Sequence, residues 1–273
     1  MLLRTVPLKT SMVGFGIALV FIALFSITVG PMNISLSDSA ASLFNPNNEL
    51  APHINLVIQE IRLPRTILCM VIGAILALCG AVMQGLFRNP LAEPGIIGVS
   101  AGAALGAALA IVLFSELSLN YPGFMNFAAV PVFAFLGGAL TTLLVYKLGT
   151  GKFGTSVTIM LLAGVAISAL SGAGIGFLNF IADDQMLRDL SLWSMGSLAG
   201  AKWSGIALAL VTLVVLFILF YRQAMSLNAL LLGESEAQHL GIPVQKLKRQ
   251  LILLTAAGVG ITVSLSGMIG FIG

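Results

Sequence analysis

This sequence predicts an all-α fold, a polytopic bundle of membrane-crossing helices. Of its 273 residues 58% are hydrophobic and only 8% charged, and the mean hydropathy is +1.06. Apolar runs of helical length recur along the whole chain. A soluble domain of this size needs far more charge to cover its surface. About 20 helical residues, at ~1.5 Å each, cross a ~30 Å hydrocarbon layer. The net charge is +3 without a basic cluster, which argues against a nucleic-acid partner. In a bilayer protein a Lys/Arg excess reports topology instead.

The first run, 11–30, follows Arg4 and Lys9. It exceeds the roughly 7–15-residue core of a cleaved signal, so a retained span is preferred to cleavage near Ser39-Ala40-Ala41. Further spans fall at 66–87, 96–115, 124–146, 156–181, 203–221 and 250–271, about seven in all. With the N-terminus inside, Arg4, Lys9, Arg88, Lys147, Lys152, Arg222, Lys246, Lys248 and Arg249 are cytoplasmic. Arg62, Arg65, Arg188 and Lys202 are external, the asymmetry expected of an N-in chain. Cys69 and Cys79 share one predicted helix about 15 Å apart along its axis, too far for a disulfide, and read as packing residues.

Glycines repeat every four residues at Gly98, Gly102 and Gly106, at Gly172 and Gly176, and at Gly196 and Gly200. This spacing predicts close helix packing in lipid. The run SGAGIGFLNF (171–180), with Gly172, Gly174, Gly176 and Asn179, is also a candidate pathway lining. No span carries an ionisable residue at membrane depth, which disfavours a proton- or ion-coupled carrier. GTGKFGTS (149–156) lacks phosphate-loop spacing because Phe153 follows Lys152, so it reads as a turn. His53 stands alone in a loop, and no metal site is assigned.

The polar stretch LLGESEAQHLG (231–241) interrupts the apolar pattern. Ser235 and Gln238 suit a capping box, Gly241 a left-handed stop, and Pro243 a block to continuation. Leu227 to Leu232 form a separate short helix ending at Gly233. The result is a rigid pair of short helices between spans six and seven, offered to a partner.

RLPRTILCMVIGAILALCGAVMQGLFRNPLAEPGIIGVSAGA (62–103) resembles the signature of permease subunits of binding-protein-dependent ABC importers for iron-siderophores, haem and vitamin B12 (the FecCD-like, type II importer family). SGMIGFIG (266–273) is similar to the same family, and the resemblance runs from about residue 55 onward. It implies a single transmembrane permease domain over 1–273. That domain has seven of the family's ten spans, the C-terminal spans being absent, and a cytoplasmic coupling element at 226–243. It implies that Arg62 and Arg65 hold carboxylates of a periplasmic substrate-binding protein. By the same resemblance Gly233, Glu234, Glu236, Ala237, Leu240 and Gly241 engage a separate ATPase subunit, while Arg88, Asn89, Pro90 and Glu93 shape a loop.

The family's pathway implicates 171–180 and 186–200, and 181–203 is most similar to haem importers. Met186, Trp193 and Met195 then become candidates to face a porphyrin. The implied protein is not an enzyme and binds no cofactor, with ATP on its partner and haem or another iron chelate as substrate. It works as a homodimer in the bacterial inner membrane. The alternatives are a siderophore or cobalamin permease, a proton-coupled or facilitative carrier, and a non-transporting scaffold.

Overall fold

The computed structural model describes residues 7–45, 50–114, 129–152 and 154–269, in two compact units. The first comprises residues 1–70 and 201–206. Its α1 (Leu8–Thr28) is apolar all round and buries only Ile27, as a lipid-facing helix can. Helix α2 (Leu36–Phe44) starts at Ser35, whose Oγ accepts from Asp38 N at 3.1 Å. Helix α3 (Pro52–Leu56) runs through a π-helical turn (Val57–Arg62) into α4 (Leu63–Phe87). Pro64 has no N–H to give the carbonyl four residues back. The π turn just before it shifts the ladder, with Leu63 N bonding Ile58 O. Ile27, Ile34 and Ile58 form the core, flanked by Leu43, Ile54, Val57 and Leu63.

The second unit, 71–200 and 207–273, is built around α11 (Val244–Ser266), which buries Leu251, Ile252, Ala256, Val259 and Val263. Helix α5 (Val99–Leu113) follows a 3-10 turn (Pro94–Ile97), and α6 (Val130–Gly149) packs on it. Gly102 lies against Thr141 and the Gly137 carbonyl, and Gly106 against the Phe133 carbonyl. Any Cβ there would collide with backbone, so the glycines set the helix separation. Thr141 Oγ1 lies 2.9–3.0 Å from the carbonyls of Gly98, Gly137 and Gly138. A two-residue hairpin, β1 (Thr150–Gly151) with β2 (Gly154–Thr155), joins α6 to α7 (Val157–Ile181). Then come α8 (Asp184–Ser194), α9 (Trp203–Leu232) and α10 (Glu234–His239).

Among the described residues six helices are long and apolar enough to cross a membrane. The α3–α4 rod and α1, α6, α7, α9 and α11 make up this set. This is an all-α, multi-pass membrane protein. The third expected span, 96–115, is a helix of 15 residues, Val99–Leu113, about 22 Å long. Gly98, at φ +79, turns the chain before it. The fourth begins outside the described residues, as the last of the seventh lies beyond them. Cys69 and Cys79 do share α4, but Cys79 is buried and Cys69 exposed.

Several local expectations change. Leu227 to Leu232 are the last turns of a continuous 30-residue α9, not a separate helix, because nothing before Gly233 breaks the ladder. Lys246, Lys248 and Arg249 lie inside α11, which starts at Val244 rather than 250. Gly98 (φ +79) and Gly196 (φ +69) serve backbone turns, and Gly196 also sits close against the Met268 carbonyl. Gly172, Gly176 and Gly200 meet nothing within 4 Å of an added Cβ, so among the described residues their spacing closes no packing. Gly164 packs closely against the Ile96 carbonyl and stands in four-residue register with Ser168, Gly172 and Gly176.

Candidate functional site

The polar island forms α10, but its cap differs from the capping-box expectation. Gly233 (φ +137) is the N-cap, and no side chain caps the helix. The Glu236 carboxylate folds back over Gly233, where an added Cβ would strike it. Ser235 is two residues too late to be the N-cap, and it is exposed. The exit does match: Gly241 adopts φ +81, Ile242 N bonds Ala237 O at 3.0 Å, and Pro243 becomes the N-cap of α11. Ala237 is fully buried, whereas Leu240 is 64% exposed. Ser235, Glu236, Gln238 and His239 are exposed with it. A short rigid helix thus carries polar side chains around one exposed leucine.

The island is fastened by Lys248, which lies within α11 and not in the loop before it. Lys248 is 1% exposed. Its Nζ lies 2.6 Å from Glu234 Oε1 and donates to Thr155 O at 2.8 Å. A buried ammonium needs such partners, because leaving it unpaired away from water is very costly. Thr155 N in turn donates to Gln245 Oε1 at 2.8 Å. The signal was available: Lys248 sits in register with Val244, Leu251 and Thr255 on a helical stripe that is otherwise apolar or neutral.

The two arginines of RLPR separate. Arg62 is buried, and its guanidinium donates to Ile27 O at 3.1 Å, Thr28 O at 2.7 Å and Met32 O at 2.6 Å. It closes the C-terminal end of α1, where a cation also suits the helix dipole. Gly30 makes the room: a Cβ there would fall 2.7 Å from a guanidinium nitrogen. Arg65 is exposed. In the NPLAEPG turn Asn89 Oδ1 accepts from Leu91 N at 2.9 Å, and Arg88 takes the positive φ of 50°.

Gly172, Gly176 and Asn179 lie along one exposed face of α7, while Gly174 faces Leu105. Helix α8 begins with Asp183 Oδ1 accepting from Met186 N at 2.8 Å. Met186 packs on Ala108, Val112 and Leu178. Trp193 lines a cavity of about 540 Å³ with Asp189, Ser197, Ser264 and Ser266. Ser197 N donates to Ser266 O at 2.6 Å, pinning the segment after α8 to the end of α11. Met195 is 78% exposed. Of the candidate pathway residues, Trp193 lines this cavity and the others do not.

Residues 18–273 match the FecCD transport family. The chain is 43% identical over 264 residues to the Hemin transport system permease protein HmuU of Yersinia pestis, covering 96% of this chain and 75% of that protein. It is 41% identical to the Vitamin B12 import system permease protein BtuC of Vibrio cholerae, covering 80% of this chain and 63% of the other. Against the Cobalamin import system permease protein BtuC of Halobacterium salinarum identity is 38%, over 80% and 56%. The matched stretch thus falls short of two thirds of both cobalamin permeases. A solved structure described as an inward-facing conformation of a metal-chelate type ABC transporter superposes with TM-score 0.78 at 32% identity. It covers 96% of this chain and 77% of that one. With a helical membrane fold, a capped polar helix between membrane-length helices and matches of this extent, the chain belongs to the FecCD transport family.

Proposed function

We propose that this chain is the permease subunit of an ATP-driven, binding-protein-dependent importer that carries haem across the bacterial inner membrane. The carrying observation is α10, a rigid helix with exposed Leu240 and Glu236 between two membrane-length helices. Such an element suits a cleft on a separate ATPase subunit. ATP binding and hydrolysis there displace α10 and bias the helices between two states of access. This chain holds no cofactor of its own; ATP belongs to the partner.

Two copies of the chain enclose the pathway, with the Gly172, Gly176 and Asn179 face of α7 as its lining. The N-terminus is cytoplasmic. A periplasmic binding protein docks through Arg65, whose exposed guanidinium suits a bidentate carboxylate contact. Arg62 supports that surface from beneath. Haem is preferred as cargo because of the 43% identity to a hemin permease along nearly the whole chain. Ferric siderophore and cobalamin are the competing cargoes within the family.

Competition among haem, a ferric siderophore and cobalamin during ATP-driven uptake into vesicles tests the assignment. Haem should suppress uptake of the other two at the lowest concentration. Preferential uptake of a siderophore or cobalamin would overturn the haem reading and leave the importer reading standing.

A further inference from the structure

We propose that Lys248 is a positioning latch that makes α10, the 150–155 hairpin and the start of α11 move as one body. The inference rests on α10 being the element that engages the ATPase. Three parts of the chain meet at one buried ammonium. Glu234, the first residue of α10, lies 2.6 Å from Lys248 Nζ, and Thr155, the last residue of the hairpin, accepts from it at 2.8 Å. Gln245, one turn earlier on α11, accepts from Thr155 N at 2.8 Å. Both backbone polar groups of Thr155 are thus held by α11 side chains.

The hairpin leads directly into α6 and α7, and Lys248 lies near the start of α11. A pull on α10 therefore reaches three membrane-length helices through a single site. The tie is directional because the ammonium is 1% exposed. Withdrawing Glu234 from it would leave a buried charge half-paired, so α11 and the hairpin follow α10 instead. An apolar side chain of similar length would fill the space without providing that tie.

The test uses the full chain assembled with its ATPase and binding protein in vesicles, with haem as the probe, reading uptake and ATP hydrolysis together. K248M should assemble with the ATPase in the wild-type ratio and continue to hydrolyse ATP. Haem taken up per ATP should fall at least about tenfold, and K248R should recover most of it. A purely structural lysine would lower the amount of assembled complex and leave that ratio unchanged. An unchanged ratio in K248M overturns the latch.

If K248M does not accumulate, E234Q decides. It keeps shape and the oxygen acceptor but loses the charge, and uptake per ATP should fall at least about threefold. A wild-type ratio in E234Q likewise overturns the proposal. L240D separates the two levels of the argument, since it should abolish ATPase association. If L240D associates and transports normally, the coupling role of α10 fails, whatever Lys248 does.

Discussion

Arg62 and Arg65 stand three residues apart on adjoining helical turns, yet their surroundings give them different work. Arg62 spends its guanidinium on the carbonyls of Ile27, Thr28 and Met32. R62M should therefore cost about 2 kcal/mol of stability, the worth of charge-assisted hydrogen bonds lost at a buried helix end. Thermal unfolding in detergent would register it as a lowered midpoint. G30A should push the guanidinium out of place and lower the midpoint in the same direction by less. R65E should weaken binding-protein affinity about tenfold or more by like-charge repulsion. Surface binding measurements on the assembled permease would show it. The sequence marks both arginines as basic residues at a span end. It gives no sign of Arg62's burial, because the partner carbonyls lie some thirty residues away and carbonyls leave no trace in a residue code.

At the level of elements, the close approach of α5 and α6 depends on Gly102 and Gly106 against backbone on α6. G106L should abolish accumulation of folded protein, whereas G172L, which meets open space on α7, should be tolerated for folding. Yield and gel-filtration profile after extraction would distinguish them. On α10, G233A faces both an unfavourable φ and the Glu236 carboxylate. G241A faces only the φ of +81, a cost of about 1 kcal/mol. G233A should reduce ATPase co-purification strongly and G241A mildly. The capped stop at Gly241 and Pro243 was legible from the sequence. The start was not, because Ser235 and Gln238 matched a capping box while the backbone needed the glycine two residues earlier. Likewise the spacing of Gly102 and Gly106 marks a contact between helices, while that of Gly172 and Gly176 meets no neighbour among the described residues. A four-residue repeat marks a smooth helix face without saying what covers it.

For the whole molecule, hydropathy alone was enough to assign an all-α membrane bundle, since long apolar helices satisfy their own backbone in lipid. Element ends were less legible: α9 and α11 run past the apolar runs, and their polar turns meet tertiary partners, Gln223 of α9 at Gln250 and Lys248 of α11 at Glu234. The absence of ionisable groups at membrane depth in the predicted spans disfavours a proton-coupled carrier, the rival of the proposed ATP-driven importer. That distinction is the central claim. The direct measurement is haem uptake into vesicles holding the chain with its ATPase and binding protein, with and without ATP and a proton uncoupler. Uptake that requires ATP and survives the uncoupler is the predicted result. Uptake that proceeds without ATP and collapses with the proton gradient would contradict it.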